Sequence, residues 1–385
     1  GDCCVNRERQ GSWALSLVGD INSTLEVPSM EQITACDDIV VVPPPRRQGK
    51  ARTLGIHAVQ LITMLGLLPL AASIVGLALF CRPRLPSGTH RRGHPIVYSD
   101  ASVVMIALIA RLWNLSGREM SDWLTTWPAL AAACGLPQGR VIHHSHLNRR
   151  LRQLGAFPFW LLYLALVWKA IRCGLLRGRD VAIDSTLLSA WTRQDPDAAW
   201  SYPSAHKGHV FGYKLHALLD RAARLPLFFL LSPANANDLP FAYPLLWFAR
   251  FVFALPIHVV RADGAYWGVA LVRFIVTVIK AHPIIPFNRK KQPLARVRHL
   301  VYWPLSYAAR TIIERFFAAA KRYYHLDTAY AIGWESVLLR VTLTFCAILV
   351  VALAAYQSGA PELRLSPTRV LAHYLPVQDS LEVRL

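Results

Sequence analysis

Apolar runs that end in a carboxylate recur in the middle of the chain and predict a β-sheet. Residues 181–186 (VAIDST) form an apolar strand that carries Asp184, and residues 257–263 (IHVVRAD) form a β-branched run that ends at Asp263. Between them, residues 209–231 predict two more strands joined by a hairpin loop. Two strands therefore each present one aspartate, although a single aspartate after a strand commonly only caps the next turn.

Residues 307–321 (YAARTIIERFFAAAK) have the period of an amphipathic helix. At about 100° per residue, Tyr307, Arg310, Glu314 and Lys321 fall within about 60° of one another, and the apolar residues lie on a separate face. An ordinary amphipathic helix with an i, i+4 ion pair explains the arginine and the glutamate. It does not explain the tyrosine and the lysine at their spacings, so this stripe is the strongest local signal in the chain.

Residues 96–175 predict a small all-α domain of short helices. The first follows an N-cap at Ser99-Asp100, and the last, residues 145–154, carries the arginines. Three short helices with a basic last helix fit a helix-turn-helix-like domain that binds DNA. A helical bundle with a solvated basic face is the alternative. The candidate DNA contacts on the last helix are Arg149, Arg150 and Arg152.

Residues 1–95 show no clear helical or strand period and predict a poorly organised N-terminal segment, part of which we expect to precede the native start. Its apolar run 61–81 is long enough to span a bilayer. Pro69 near the centre of the run and basic residues on both flanks argue against spanning. A shorter apolar run, 341–356, is typical of a buried helix. We therefore expect no membrane association, and we assign residues 357–385 to a C-terminal tail.

Composition narrows the class of protein. The chain of 385 residues is 54% hydrophobic, which excludes an intrinsically disordered protein. Lys and Arg number 42 against 23 Asp and Glu, and 16 of the resulting 19 net positive charges lie in residues 96–356. Such a surface favours a polyanionic partner. The seven cysteines are scattered without metal-ligand spacing, which favours neither a disulfide scaffold nor a zinc module.

Taken together, these motifs resemble the DDE transposases of bacterial insertion sequences. The resemblance covers about residues 96–356 through AIDST, GYKLH, ANANDLP, RADGAYW and PIIPFN, and is closest to the branch with a Tyr-Arg-Glu-Lys signature around the third acid. It implies an α/β catalytic domain over residues 176–356, an RNase H-like mixed sheet flanked by helices, preceded by the helix-turn-helix-like domain. It also implies that Asp184, Asp263 and Glu314 form a catalytic, metal-binding triad.

The resemblance implies an activity and its cofactors. Three carboxylates suit two Mg²⁺ ions, or Mn²⁺, about 3.5 to 4 Å apart, with Asp184 as the bridging ligand. The expected enzyme cuts DNA at the ends of its mobile element and joins the freed 3′ ends to target DNA. We expect a homodimer on DNA, no small-molecule substrate, and a cytoplasmic, nucleoid-associated location.

Further DNA contacts are expected around the triad. Those implied by the resemblance are Tyr307, Arg310 and Lys321; those suggested by the residues themselves are Lys214 and His216 on a strand and Arg289, Lys290 and Lys291 in a basic loop. Three alternatives stay open: a catalytically inactive or domesticated DNA-binding protein of the same fold, another metal nuclease of that fold, and a membrane-associated protein.

Overall fold

The computed structural model of the chain describes residues 45–80, 97–202, 208–286, 311–327, 331–367 and 369–370. The strands in this part are β1 (Asp180–Ser189), β2 (Ala199–Trp200), β3 (Phe211–Asp220), β4 (Leu225–Pro233), β5 (Val259–Arg261) and β6 (His282–Ile284). The α-helices are α1 (Pro45–Leu65), α2 (Leu67–Phe80), α3 (Asp100–Leu112), α4 (Gly117–Thr126), α5 (Pro128–Ala133), α6 (His144–Leu154), α7 (Phe157–Arg172), α8 (Leu239–Trp247), α9 (Val269–Phe274), α10 (Thr311–Tyr324) and α11 (Trp334–Gln357).

The six strands form one mixed sheet. Its order is β4-β3-β1-β5-β6, and β2 pairs with the first residues of β3. β1 is antiparallel to β3 and parallel to β5, and β5 is parallel to β6. The four strands expected from the apolar runs are all present, and the turn between β3 and β4 closes the expected hairpin. A mixed sheet flanked by helices is therefore confirmed.

One face of the sheet is covered by α10 and α11. Asp184 on β1 lies opposite Ala217 on β3, which lies opposite Phe229 on β4, and residues directly opposite each other point to the same face. The Phe229 ring packs edge-on against Phe345 of α11, with 4.9 Å between ring centroids. Phe345 in turn contacts Phe316 of α10 at 5.7 Å. The helix that carries Glu314 therefore packs on the face to which Asp184 belongs.

The N-terminal helices begin where the sequence predicts. Ser99 caps α3, since its hydroxyl accepts a hydrogen bond from the Ser102 amide at 3.1 Å. Ser116 and Glu119 form a reciprocal capping box at α4. α3 and α4 cross at 107°, within the range of helix-turn-helix pairs. The predicted helix over residues 145–154 is α6, one residue longer.

Residues 45–80 correct the expectation of little organisation in the N-terminal segment, because they form α1 and α2. The two helices meet at Gly66, whose φ of 60° suits glycine, and bend by 63°. Lys169 of α7 donates a hydrogen bond to the Leu65 carbonyl at 2.6 Å, so the end of α1 is fixed to the rest of the protein. The apolar run 61–81 straddles this break.

α11 contains the shorter apolar run and is buried as expected. By length and composition it could cross a membrane, as could up to three bent helix pairs in the described residues, but 83% of its apolar window is buried inside the protein. Arg111 of α3 helps to fix it. The buried guanidinium donates to the Thr344 hydroxyl at 2.8 Å and to the carbonyls of Tyr324 and His325 at the end of α10. The pKa of Arg111 is lowered to about 9, mainly by burial and further by the positive charge of Arg340.

Candidate active site

Strand register places the first two acids side by side. Asp180, Val181 and Ala182 pair with Val259, Val260 and Arg261, which is a constant offset of 79 residues. The same offset separates Asp184 from Asp263. β5 ends at Arg261, so Asp263 lies two residues beyond the last paired position. Continuing the same register past the strand end would bring it opposite Asp184, on the same face of the sheet.

The buried phenol of Tyr266 lies within electrostatic reach of both acids. Burial raises the pKa of Tyr266 well above its usual value, and the negative charges of Asp238, Asp184 and Asp263 raise it further. A hydrogen bond from Ser185 acts in the opposite direction. Three aspartates from three different elements therefore lie within electrostatic reach of one hydroxyl.

Each of the two aspartates also has a local role. The Asp184 Oδ1 accepts a hydrogen bond from the Ser185 amide at 2.8 Å. The Asp263 Oδ1 accepts from the Ala265 amide at 2.8 Å and caps a single 3-10 turn at Gly264–Tyr266. Asp263 can therefore cap this turn and also belong to a site. The cap fixes its side chain just beyond the end of β5.

An ion-pair cluster holds β1 and β5 together below the acids. Asp180 Oδ1 accepts from Arg261 Nε at 2.9 Å. Its Oδ2 accepts from Arg261 Nη2 at 3.0 Å and from Arg221 Nε at 2.6 Å. Arg261 is largely buried. A two-pronged arginine–carboxylate contact fixes orientation as well as distance, so this cluster stabilises the register that sets Asp184 beside Asp263.

The third acid lies on α10. Glu314 is exposed in the first turn, whereas Ile313, Phe316, Phe317 and Ala320 are buried, as the period of the helix predicts. Lys321 donates from Nζ to the Leu187 carbonyl of β1 at 3.0 Å, which docks the helix three residues beyond Asp184. In the part of the chain that the structure describes, no three His, Cys, Asp or Glu side chains are close enough to hold a metal. The convergence of Glu314 on the two aspartates stays a prediction.

Two of the expected DNA contacts, Lys214 and His216, belong to the opposite face. They pair with Leu187 and Ser185, not with Asp184. His216 is fully buried, and its ring stacks on Phe241 of α8 with 4.0 Å between centroids. The expectation that His216 contacts DNA is therefore wrong for this structure, because β3 is an interior strand between β1 and β4 instead of an exposed edge.

Around His216 the polar groups form a closed network. Its Nε2 lies 2.8 Å from the Ser232 hydroxyl, and its Nδ1 lies 3.4 Å from Asp238 Oδ1. Lys214 reaches the same Asp238 oxygen at 3.3 Å and donates to the Ala236 carbonyl at 2.7 Å. Burial lowers the pKa of His216 to about 4, while the charge of Asp238 acts in the opposite direction. Lys214 and His216 thus contribute to the structure beneath the site.

The predicted basic helix presents two of its three arginines. Arg149 and Arg152 of α6 are exposed, whereas Arg150 forms an ion pair with Asp100 at the start of α3. The remaining candidates, Tyr307, Arg310, Arg289, Lys290 and Lys291, lie outside the described residues.

Sequence reasoning assigned no role to Tyr266 or Asp238. Both occur in motifs that carry the resemblance, RADGAYW and ANANDLP. A pattern in the sequence shows that these residues follow strands, but only the packed sheet shows that both lie within reach of Asp184.

The acidic side chains of the candidate site are of the type that binds divalent cations. Asp184 and Asp263 supply carboxylate oxygens, which are the ligands that Mg²⁺ and Mn²⁺ prefer. Both acids are half-buried, and a cation bound between them would compensate their negative charge.

Comparison with known proteins identifies the region that contains these residues. Residues 176–350 match the family model for the transposase DDE domain. No curated protein and no solved structure matches the chain. The family implies an RNase H-like fold, a transposase function in general and DNA as a partner, and suggests a metal-dependent DNA-processing enzyme. The match confirms the resemblance to the DDE transposases of insertion sequences over residues 176–350.

Proposed function

We propose that this protein cuts DNA at the ends of its mobile element and joins the freed 3′ ends to target DNA. The observation that supports the proposal is the pairing of β1 with β5 at the 79-residue offset that also separates Asp184 from Asp263, within the region that matches the transposase family. α10, which carries Glu314, packs on the same face of the sheet. Three acids on three elements suit the two-metal chemistry of phosphodiester cleavage.

The proposed reaction balances without an external energy source. Water adds to the phosphorus at the element end and the P–O3′ bond breaks, which leaves a 3′-hydroxyl and a 5′-phosphate. That hydroxyl then attacks a phosphodiester of the target, and one P–O bond forms as another breaks. Asp184, Asp263 and Glu314 would hold two Mg²⁺ ions. When bound, the ions supply charge stabilisation for the entering and leaving oxygens.

The charged residues outside the triad would hold the DNA. Arg149 and Arg152 are exposed on α6 and suit phosphate, so we assign this helix to a helix-turn-helix-like domain that binds the element end. Lys321 extends the positive surface along α10 beside β1. Tyr307 and Arg310 are assigned the same role by resemblance. The enzyme would act as a homodimer on DNA in the cytoplasm, at the nucleoid.

Substitution of the acids tests the proposal. The substrate is end-labelled DNA that carries the inverted repeats flanking the coding region, incubated with Mg²⁺. Asp184→Asn, Asp263→Asn and Glu314→Gln should each abolish cleavage and spare DNA binding, because a neutral amide keeps the shape of the acid but not its charge. Asp327→Asn, at an exposed acid just beyond α10, is the matched control and should cut normally.

The outcomes separate the proposal from its alternatives. Full cleavage by any one acid variant would remove that residue from the site. A wild-type protein that binds the ends but cuts none of them would support an inactive DNA-binding protein. Cleavage without joining would indicate another nuclease of this fold.

A further inference from the structure

A pocket of about 390 Å³ lies at the end of β1, beyond the acids. It is formed where β1 ends and β3 begins, next to the short strand β2. Its volume is near the lower limit for small-ligand sites, about 300 to 1,000 Å³, so it suits a single ring system better than a large molecule. The residues that matter for its chemistry are Trp191, Arg193, Trp200, His209 and Phe211.

The pocket has aromatic walls that are about half exposed. Trp191 is 57% exposed and Trp200 is 51% exposed. The Trp200 ring rests on Phe211, with 5.3 Å between centroids, which fixes its position. Exposing two large indoles costs free energy unless a ligand covers them, so a cluster of this kind marks a binding surface.

The polar groups of the pocket select the charge of the ligand. The Arg193 guanidinium lies 5.8 Å from the Trp200 ring centroid. His209 donates from Nδ1 to the Ser201 carbonyl at 3.0 Å, so its other ring nitrogen, Nε2, is the one that a ligand could contact. The described residues that line the pocket include no carboxylate. A flat ligand with an anionic group and hydrogen-bond donors fits this environment.

We propose that the pocket holds one unpaired base of the DNA substrate. A nucleobase stacks on indole and guanidinium planes, and its phosphate carries the charge that Arg193 complements. Ser189 at the pocket is five residues along β1 from Asp184, about 17 Å at 3.3 Å per residue. This corresponds to roughly five base steps of 3.4 Å, so the base would lie a few nucleotides from the cut. The inference rests on the proposed function for its DNA substrate.

Binding of single-stranded DNA by the full chain tests the inference. The probes are a fluorescently labelled thymidine 12-mer, dT12, and a 12-mer of abasic residues with the same number of phosphates. Fluorescence anisotropy gives the dissociation constants. Trp191→Ala and Trp200→Ala should each weaken dT12 binding about 5- to 100-fold, the range for loss of one base stack. Trp191→Phe and Trp200→Phe should retain most of it, because phenylalanine also stacks.

A matched control is available at Trp247 of α8, which is 50% exposed and lies outside the pocket. Trp247→Ala should bind dT12 as the wild type does. Binding of the abasic 12-mer should be the same for all variants, because stacking needs a base whereas phosphate contacts do not. The preference for dT12 over the abasic strand should therefore disappear in the two pocket variants only.

Three results would overturn the inference: no binding of dT12 by the wild type, unchanged binding by both pocket alanine variants, or an equal loss in Trp247→Ala. The cleavage assay distinguishes a failure of the pocket inference from a failure of the proposed function. A protein that cuts the element ends while its pocket variants bind dT12 normally would refute the pocket alone. A protein that binds dT12 through both tryptophans but never cuts the ends would refute the proposed reaction alone.

Discussion

The buried histidine beneath the site should make the protein sensitive to mild acid. His216 is enclosed by Phe241 and Ser232 and by the charges of Asp238 and Lys214. Burial lowers the pKa of His216 from 6.5 to about 4. The unfolded chain therefore binds a proton that the folded protein rejects, so the contribution of His216 to stability is complete above pH 6.5 and is lost as the pH falls towards 4.

The size of the effect follows from these two values. At pH 7 the histidine is largely neutral in both states and the difference is negligible. At pH 5 the unfolded state gains about 2 kcal/mol from protonation of this one group, since each unit between the two pKa values is worth about 1.4 kcal/mol. This loss is a substantial part of the free energy of unfolding of a typical domain, which is about 5 to 15 kcal/mol.

Urea unfolding of the wild type and of His216→Gln at pH 7 and pH 5 measures the contribution. Other groups titrate in both proteins, so the test is the difference between their pH dependences, which we expect to be about 2 kcal/mol. His258→Gln, at an exposed histidine, should keep the dependence of the wild type. Equal pH dependence in the wild type and in His216→Gln would refute the buried environment and would return His216 to the candidates for DNA contact.

Two further predictions concern the frame and the DNA surface. Asp220→Ala should lower the free energy of unfolding by about 3 kcal/mol, measured in urea, because three backbone amides lose their buried acceptor; a loss under about 1 kcal/mol would contradict this. Arg149→Ala and Arg152→Ala should each reduce the salt dependence of DNA binding by about one unit of slope. Arg150→Ala should mainly lower the melting temperature, because its partner is Asp100; an unchanged slope in the first two variants would indicate a solvated face.

Three strands of the sheet could be predicted because each is rich in apolar residues and is bounded by polar or turn residues. β1, β3 and β4 all follow this rule, and so does the helix α10, whose buried face is the one its period indicates. Local pattern is sufficient where burial is set by one face of one element.

The order of the strands could not be predicted, and the error at His216 follows from it. Alternation along β3 shows that Lys214 and His216 share a face, but it does not show which face, nor that β4 covers the edge. The same limit applies to the apolar run 61–81. Its composition is continuous, yet the chain breaks at Gly66, because a positive φ is a property of the backbone that composition does not reveal.

Asp263 is 79 positions after Asp184, which is the offset at which β5 pairs with β1. A slip of one residue between β1 and β5 would move the whole of β5 to the opposite face and would separate Asp263 from Asp184. Only three residue pairs join these strands, so the backbone ladder alone is short. The contact of Arg261 with both oxygens of Asp180 adds a side-chain constraint that no slipped register satisfies. The proposed catalytic arrangement would therefore depend on an ion pair between Arg261, two residues before Asp263, and Asp180, four residues before Asp184.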